Sequence, residues 1–406
     1  MSSWQARPAS PMTRRLAESF PQDDTAFWPF VRQLFPLTHD RIYFNAGGLG
    51  PSPYPVLEAM DAMHQKLEAI CETGHHYHEP VRRKVAWLLG ADPDEIAFTR
   101  NATEGMNIIA RGLNLRPGDE IVTTMHEHPG GAMPWLVLAQ QHGLKIRLFE
   151  PDNDPDVFLV NLQKAVRSKT RVLMFSHVTC TLGTVFQARE LCQWARQRGI
   201  ISVIDGAQAV GQIPVDLHAI GCDFYTTSGH KWLLGPKESG ILYISKNAQT
   251  IFRPNFVGAY SDRRYDLDRL ELELRQEAAA NEYGTRDAVK IQGIGAAVGF
   301  IQSIGTKRYY ARIRQLGQRL KSALADMADL ELLTPMDTAR SAGIVTFRIR
   351  DKDYREVSRQ LMKRYKMRVR NVGEHGIHAT RVSLHIHNSE NEVDLLIQAI
   401  ATIVKG

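Results

Sequence analysis

Cysteines and long apolar stretches are both scarce in this chain of 406 residues. The cysteines show neither the spacing of a metal site nor the density of a disulfide-rich secreted protein. Every apolar run is much shorter than the roughly 20 residues that a membrane-spanning helix needs. These absences argue against a secreted scaffold and a membrane protein, so we expect a cytoplasmic protein. The four cysteines are Cys71, Cys180, Cys192 and Cys222.

The chain also lacks a concentrated charge of one sign. Its 50 Lys and Arg residues are scattered among 44 Asp and Glu residues, which gives a formal net charge of +6. A small positive excess favours anionic ligands such as phosphates and carboxylates, whereas nucleic-acid-binding proteins usually cluster their basic residues. We therefore expect no nucleic-acid partner. The apolar fraction of 43% is sufficient for packed cores in roughly two or three domains.

Apolar runs of strand length alternate with helical segments through the middle of the chain. The runs EIVTTM, KIRLFE, RVLMFSHVT and IISVID are each followed by a helical pattern. This alternation is typical of an α/β fold with a mostly parallel sheet covered by helices. We predict a large domain over residues 41–290, a smaller α+β domain over 291–406, and an N-terminal arm and helix over 1–40 that pack on the small domain.

The stretch from Ile201 to Gly240 places several reactive groups close to one sheet edge. Asp205 ends an apolar strand, and Ser228, His230 and Lys231 end the next extended run. Ligands of open α/β sheets bind at the carboxyl ends of the strands. Pyridoxal phosphate needs a lysine, an acid beside its ring nitrogen, and hydroxyl or amide groups around its phosphate. The stretch therefore predicts a pyridoxal 5′-phosphate site.

Two further segments have the features of anion sites. Asn101 and Glu104 form a capping pattern directly after the run IAFT, so the following helix presents free amide groups at its N-terminus. Arg381 begins a predicted strand, and its planar guanidinium can hold a substrate carboxylate with two hydrogen bonds. An ordinary capped helix and an ordinary ion pair are the alternatives.

Two loops are candidates for contact with a substrate. Gly47 and Gly48 belong to a glycine-rich segment that lets the backbone approach a ligand closely, although a plain turn explains it equally well. The segment HHYH suggests a metal, but adjacent side chains do not converge on one ion and no further ligand has a useful spacing. We predict no metal site and interpret Tyr77 as facing the substrate, with a plain surface loop as the alternative.

Five motifs together resemble a known family. They are RNATEGMN, DGAQAVGQIPVD, TTSGHKW, YGTRD and TRVSLHIHNSENEVD, in an order and spacing that cover the chain from Tyr43 to its end. The chain resembles the class V aminotransferase, or cysteine desulfurase-like, family of fold type I pyridoxal phosphate enzymes. The GGLGPSP segment and the YGTRD loop are most similar to the isopenicillin N epimerase-like branch.

The resemblance implies a role for each motif residue. Lys231 would form the Schiff base with the cofactor, Asp205 would contact the ring nitrogen, and Gln208 would lie near the phenolic oxygen. His128 would stack on the ring, and Arg381 would bind the substrate carboxylate. The resemblance also implies a homodimer with active sites shared across the interface. The phosphate would be bound by groups at or near Thr103, Glu104, Ser228 and His230, and by Thr285 of the second subunit.

Two departures from the family pattern bear on the reaction. The segment RVRNVGEHGIHATRVS lacks the cysteine that accepts persulfide in bacterial desulfurases, and Cys180 stands where those enzymes usually have asparagine. We interpret Cys180 as a small filler, with a redox-sensitive thiol as the alternative. We predict a carbon–sulfur lyase that acts by β-elimination on an amino acid. The alternatives are an epimerase, an aminotransferase and a non-catalytic scaffold.

Overall fold

The computed structural model describes residues 11–405, without the side chains of residues 11–14 and 24. Residues 1–10 of the predicted N-terminal arm lie outside the described residues. The described chain folds into α-helices connected by strands and short 3-10 turns. The helices are α1 (Pro11–Ser19), α2 (Asp24–Gln33), α3 (Tyr54–Ile70), α4 (His78–Leu89), α5 (Ala102–Gly112), α6 (Pro129–His142), α7 (Pro155–Ala165), α8 (Ala188–Arg196), α9 (Leu217–Ile220), α10 (Lys246–Gln249), α11 (Ala288–Ile304), α12 (Thr306–Ala325), α13 (Tyr354–Tyr365) and α14 (Glu390–Lys405).

The strands form one large sheet, one smaller sheet and two short pairs. They are β1 (Ile42–Tyr43), β2 (Ile96–Thr99), β3 (Glu120–Thr124), β4 (Lys145–Phe149), β5 (Thr170–Ser176), β6 (Ile201–Asp205), β7 (Phe224–Ser228), β8 (Gly240–Ile244), β9 (Asp262–Asp266), β10 (Glu271–Leu274), β11 (Leu330–Leu332), β12 (Ile344–Ile349), β13 (Met367–Arg368), β14 (Arg370–Val372) and β15 (Ala379–Ser383).

The large sheet has seven strands in the order β2-β8-β7-β6-β5-β3-β4. Strands β3 to β7 pair in parallel, and β8 runs antiparallel to its neighbours β7 and β2. Strands β3, β5, β6 and β7 are almost entirely buried, as expected of branched apolar runs covered by helices on both faces. The predicted α/β fold with a mostly parallel sheet is therefore confirmed.

The smaller sheet carries the C-terminal part of the site. Its four antiparallel strands follow the order β11-β12-β15-β14, and helices α12, α13 and α14 cover it with a separate apolar core. Strand β1 pairs with β13, and Asn45 forms a bridge with Ser383 at the end of β15. The glycine-rich segment after β1 is thereby fixed beside the strand that contains Arg381.

The helices at the predicted domain borders contact more than one part of the chain. Helix α11 begins before the predicted border at residue 291 and packs against α3 and α4. In α2, Phe27 and Val31 share a core with Ile294 of α11. Arg32 of α2 also forms an ion pair with Glu392 of α14 at 3.1 Å. The limits 1–40, 41–290 and 291–406 remain a prediction.

A two-stranded hairpin, β9 and β10, extends over residues 262–274 with mostly exposed side chains. The segment is strongly charged and yet forms regular β structure. Cross-strand pairs such as Arg264 with Glu271, at 2.6 Å, accompany its backbone pairing. Within residues 11–405, no helix combines the length and apolar character that crossing a membrane requires.

Candidate active site

The parallel strands direct their carboxyl ends toward one cavity of about 270 Å³. Its walls come from the strand ends, from the first turn of α5, from the glycine-rich segment after β1, and from the smaller sheet. Residues far apart in the chain therefore share one site. The predicted site residues that line it are Gly47, Gly48, Thr103, His128, Asp205, Gln208, Ser228, His230, Lys231 and Arg381.

A buried amine and a buried carboxylate lie in this cavity. Asp205 is 5% exposed at the end of β6, and its Oδ1 atom accepts a hydrogen bond of 2.9 Å from the N–H of Ala207. Lys231 follows β7, the neighbouring strand. Burial lowers the pKa of Lys231, and the Asp205 carboxylate opposes this shift only in part. At neutral pH a larger fraction of this amine is therefore neutral than in an exposed lysine.

The N-terminus of α5 forms the second wall of the cavity. The Asn101 side chain caps the helix by accepting a hydrogen bond of 2.9 Å from the N–H of Glu104, and the Ala102 N–H donates to Ser228 Oγ at 3.2 Å. A Cβ atom on Gly105 would lie only 2.0 Å from Thr226 Oγ1, so the glycine lets α5 pack directly on β7. The helix end and the Ser228 hydroxyl together suit a phosphate group.

His128 is oriented by the first turn of α6. Its Nδ1 atom accepts a hydrogen bond of 3.0 Å from the N–H of Gly130, which puts the proton of the neutral ring on Nε2. Burial and the Lys231 ammonium lower the pKa of His128, so the ring is neutral at physiological pH. A Cβ on Gly131 would lie 3.1 Å from Asp205 Oδ2, so the glycine lets α6 pass close to that carboxylate.

A short chain of hydrogen bonds fixes the amide of Gln208. The indole N–H of Trp232 donates to Gln208 Oε1 at 2.7 Å, and Gln208 Nε2 donates to the carbonyl oxygen of Gly47 at 2.9 Å. Since Trp232 directly follows Lys231, the same loop holds both the amine and the amide. A Cβ on Gly47 would lie 3.0 Å from Gln208 Oε1 and 2.9 Å from Ser383 Oγ, so no larger residue fits there without a shift.

Removing the indole of Trp232 is expected to loosen this part of the site. Trp232→Phe leaves Gln208 Oε1 without its donor, so the variant should lose about 1–3 kcal/mol more free energy of unfolding than a matched control. Trp135→Phe is that control, because Trp135 is 1% exposed and its Nε1 has no hydrogen-bond partner among the described residues. Urea unfolding and cofactor retention on dialysis measure the difference. Equal losses in the two variants would contradict the role of the Trp232 hydrogen bond.

Arg381 lies on β15 with its guanidinium buried at the cavity wall. It is 1% exposed, and its Nη1 and Nη2 atoms donate to the Cys180 carbonyl oxygen at 2.7 Å and to Asn45 Oδ1 at 3.0 Å. Burial, followed by the nearby Arg370, lowers the pKa of Arg381 to about 10, which leaves it cationic at neutral pH. Protein groups alone thus hold the guanidinium in place.

The family model for "Aminotransferase class-V" matches residues 42–396. The chain belongs to the class V aminotransferase family. A probable cysteine desulfurase of Pyrococcus abyssi is 31% identical over 396 residues, covering 93% of this chain and 97% of the relative. An isopenicillin N epimerase of Amycolatopsis lactamdurans is 30% identical over 404 residues, covering 93% of this chain and 99% of the relative.

Solved structures of this family share the fold. The apo cysteine desulfurase of Thermococcus onnurineus NA1 has a TM-score of 0.84 at 30% identity, with 93% of this chain and 98% of the other covered. The cystine C-S lyase C-DES, in complex with its product cysteine persulfide, has a TM-score of 0.82 at 27% identity, with 90% and 99% covered. A C-DES mutant carries glycine covalently linked to the pyridoxal phosphate cofactor, also with a TM-score of 0.82 at 27% identity and with 91% and 98% covered. This class V enzyme is thus pyridoxal phosphate-dependent.

The cavity of this class V enzyme fits the cofactor. The glycines at 47, 130 and 131 keep its walls free of side chains that would meet Gln208, Thr103 and Asp205. The N-terminus of α5 and Ser228 suit the phosphate, and the buried pair Lys231 and Asp205 suits the aldehyde carbon and the ring nitrogen. The site residues therefore supply hydrogen-bond donors for the phosphate and an acceptor carboxylate for the ring nitrogen.

Three predicted site residues lie outside this cavity. The Glu104 carboxylate accepts a hydrogen bond of 2.5 Å from the Arg100 N–H and lines a neighbouring pocket of about 280 Å³, together with the exposed Thr285. Tyr77 lies beside His76, and the Lys66 ammonium is 4.7 Å from the centre of its ring. The structure of the chain thus does not bring these side chains to Lys231, and their roles remain predictions.

Sequence reasoning missed two residues at the cavity, Asn45 and Arg370. Asn45 holds Arg381, and Arg370 lines the cavity from β14, directly opposite Arg381 in the strand pairing. In the sequence, the segment that contains Arg370 is notable only for its missing cysteine. A pairing of the strand RNV with ATRVS would have placed the two arginines side by side.

The histidine loop contacts protein groups. His75 Nε2 lies 3.0 Å from the Gly284 carbonyl oxygen, and His78 Nδ1 lies 3.7 Å from Glu282. Within residues 11–405, only Asp92, Glu95 and His218 come together with the spacing of a metal site. Lys246 forms an ion pair with Asp92 there, and His218 pairs with Glu95, each at 2.6 Å, so protein partners already satisfy this group.

Proposed function

We propose that this class V enzyme is a carbon–sulfur lyase that acts by β-elimination on a cysteine-derived amino acid, without a persulfide cysteine. The distribution of thiols carries the proposal. Cys180 is the one thiol among the described residues of the cavity wall, and the loop at residues 373–378 contains no cysteine. Sulfur would therefore leave in a product, as it does in the cystine C-S lyase of the same fold.

Cys180 is poorly suited to accept sulfur. It is 5% exposed, and burial raises the pKa of its thiol, although the Arg381 guanidinium opposes this shift. The thiolate is the nucleophilic form of cysteine, so a thiol that stays protonated is a weak nucleophile. We infer that the Cys180 side chain fills space beside Arg381. The carbonyl oxygen of Cys180 accepts a hydrogen bond from Nη1 of that arginine.

The residues of the cavity account for each part of an elimination. The bound cofactor supplies an electron sink for the substrate Cα, and Asp205 favours a protonated ring nitrogen. Arg381 binds the α-carboxylate, and the buried Lys231 amine removes the Cα proton. The Cβ–S bond then breaks, and the sulfur leaves with the bonding electrons and takes up a proton. After hydrolysis the products are a thiol, pyruvate and ammonium.

We further propose that the active enzyme is a homodimer. The exposed Thr285 and the half-buried Arg286 line a pocket next to the N-terminus of α5, outside the cavity of their own subunit. Thr285 would reach the phosphate of the second subunit. This arrangement supports the cross-subunit role that the family resemblance implies for the YGTRD loop.

Epimerisation is the second candidate. The protonated Cys180 thiol lies in the same cavity as Lys231, so a second acid is available to return a proton to Cα. The position of the Cys180 thiol supports epimerisation less strongly than the distribution of thiols supports elimination. Elimination requires no second ionisable group near Cα. Both reactions begin with removal of the same proton.

Incubation with amino acids in heavy water separates the reactions. We expect S-substituted cysteines to yield pyruvate and a free thiol, whereas alanine, which lacks a leaving group, should only exchange its Cα hydrogen. Mass spectrometry and a thiol reagent measure the products. Inverted configuration with deuterium at Cα, or a keto acid that retains the side chain, would contradict elimination and identify an epimerase or an aminotransferase. A visible cofactor band that no amino acid changes would identify a non-catalytic scaffold.

A further inference from the structure

We propose that the substrate carries a second anionic group, in addition to its α-carboxylate, and that Arg370 binds it. This inference rests on the proposed function, because it requires an amino acid held by Arg381. It narrows the substrate class to amino acids with an anionic side chain. A cysteine conjugate with a carboxylate on the sulfur substituent is the simplest member of that class.

Arg370 and Arg381 are direct neighbours across two antiparallel strands. Arg370 of β14 pairs with Arg381 of β15, so the two side chains project from the same face of the smaller sheet. Both line the cavity that contains Lys231. Like charges directly opposite each other in a sheet are destabilising, so such a pair is favourable only where anions lie close to both groups.

The two guanidinium groups have different protein partners. Arg381 is held by Asn45 and by the Cys180 carbonyl oxygen, and its charge adds to the influences on the pKa of Tyr43. Arg370 pairs with Glu374. Burial and the Lys231 charge lower the pKa of His128, and the Arg370 charge adds a smaller contribution in the same direction. The two neighbouring guanidinium groups thus have separate hydrogen-bond partners, which suits two anions better than one shared carboxylate.

Glu374 satisfies only part of Arg370. Burial opposes ionisation of Glu374, but a hydrogen bond to its backbone and the Arg370 guanidinium outweigh that effect and lower its pKa. The ionised carboxylate pairs with Nη2 of Arg370, while the buried Nη1 has no hydrogen-bond partner within residues 11–405. A buried N–H without a partner is costly, so Nη1 is a donor available to a ligand.

The loop after β14 fixes Glu374 in this position. His375 and His378 have φ angles of 53° and 49°, in the left-handed region that side chains with a Cβ rarely adopt. Such strained positions persist where the surrounding structure requires them, and they are frequent at ligand sites. Glu374 begins this loop, where its carbonyl oxygen accepts a hydrogen bond of 3.0 Å from the Ile377 N–H, and its side chain pairs with Arg370.

Two nearly isosteric substrates test the proposal. S-carboxymethyl-L-cysteine carries the second carboxylate, whereas S-carbamoylmethyl-L-cysteine has a neutral amide in its place. We expect the holoenzyme to bind the carboxylate compound at least about 10-fold more tightly, as measured by the change in the visible cofactor band at equilibrium and by KM. Arg370→Gln should abolish this preference, and Arg370→Lys, which keeps the charge without the planar fork, should retain part of it.

Two further variants separate Arg370 from its neighbours. Arg381→Gln should weaken the binding of both compounds, because both carry an α-carboxylate. Arg350→Gln, which changes an exposed arginine just after β12, should leave the preference unchanged. Acetate added with the amide compound should not tighten its binding, and a tighter complex would mean that the second anion is a separate ion, which overturns the proposal.

The remaining outcomes distinguish this inference from the proposed function. Equal affinities for the two compounds in the wild-type enzyme, or an equal loss for both in Arg370→Gln, would overturn the second anion site alone. The equal loss in Arg370→Gln would mean that Arg370 serves a group that both compounds share, such as the α-carboxylate. If neither compound changes the cofactor band, binding of cysteine-derived substrates is itself refuted, and the inference falls with it.

Discussion

Replacing Lys231 by alanine is expected to abolish turnover and to change the visible absorbance of the bound cofactor. Burial lowers the pKa of this amine, which suits the two roles that we propose for it, nucleophile toward the cofactor aldehyde and base toward Cα. The Asp205 carboxylate, on the neighbouring strand, opposes this shift only in part. Loss of a general base alone costs about 10²–10⁴-fold in rate, and loss of the covalent link adds to that figure.

Lys237→Ala is the matched control, because Lys237 is an exposed lysine of the same loop. We expect the control to keep the wild-type spectrum and rate. The Lys231→Ala protein should still bind the cofactor through the N-terminus of α5 and Ser228, so its band should move rather than vanish. An unchanged band together with wild-type turnover would refute the assignment of Lys231.

The cofactor end of the site was predictable because local sequence determines it. Strand β6 is a short apolar run rich in branched residues, and β7 is a short, fully buried run of aromatic and threonine residues. Asp205 and Ser228 end these two parallel strands, so their side chains had to meet at one edge of the sheet. The Asn101 cap is equally local, since it requires only a helix directly after β2. The family, the fold class and the cofactor predicted from these motifs are confirmed.

The substrate end could not be predicted in the same way. Asn45 and Arg381 are brought together by the β1–β13 pair and by the bridge from Asn45 to Ser383, which no local pattern indicates. The position of Arg370 depends on the register of β14 against β15, and a shift of one residue would turn it to the opposite face. The hydrogen bond from Trp232 to Gln208 likewise depends on how two buried loops pack.

The YGTRD loop is attached to the large sheet by an ion pair that sequence reasoning also missed. Arg82 of α4 donates to both carboxylate oxygens of Glu282, at 2.8 and 2.9 Å, and the Phe98 N–H of β2 donates to the same carboxylate at 2.6 Å. Burial opposes ionisation of Glu282, but Arg82 outweighs it and lowers the pKa of Glu282 to about 2. The pair therefore fixes the start of the loop that we propose to reach the second subunit.

Glu282→Gln is expected to lower the free energy of unfolding by about 3–5 kcal/mol, because it removes the buried carboxylate partner of Arg82 and leaves this buried guanidinium only the exposed Glu79 carboxylate. The carboxylate binds a proton less readily in the folded state than in the unfolded state. Its stabilisation, about 3 kcal/mol for a pKa shift from 4.5 to about 2, should therefore be complete above pH 4.5 and be lost as the pH falls toward 2.

Urea unfolding of the wild type and of Glu282→Gln at pH 7 and at pH 3.5 measures both effects. The free energies of unfolding of the two proteins should differ less at the lower pH, because the wild-type carboxylate has lost part of its stabilising effect there. Glu331→Gln is the control, because the Glu331 and Arg348 side chains form an exposed pair at 2.9 Å whose loss should cost at most about 1 kcal/mol. A loss in Glu282→Gln no larger than in this control would contradict the role of the buried pair. The Arg82–Glu282 pair holds the YGTRD loop and does not line the cavity. If Thr285 of this loop binds the phosphate in the second subunit, Glu282→Gln should therefore also release the cofactor more readily.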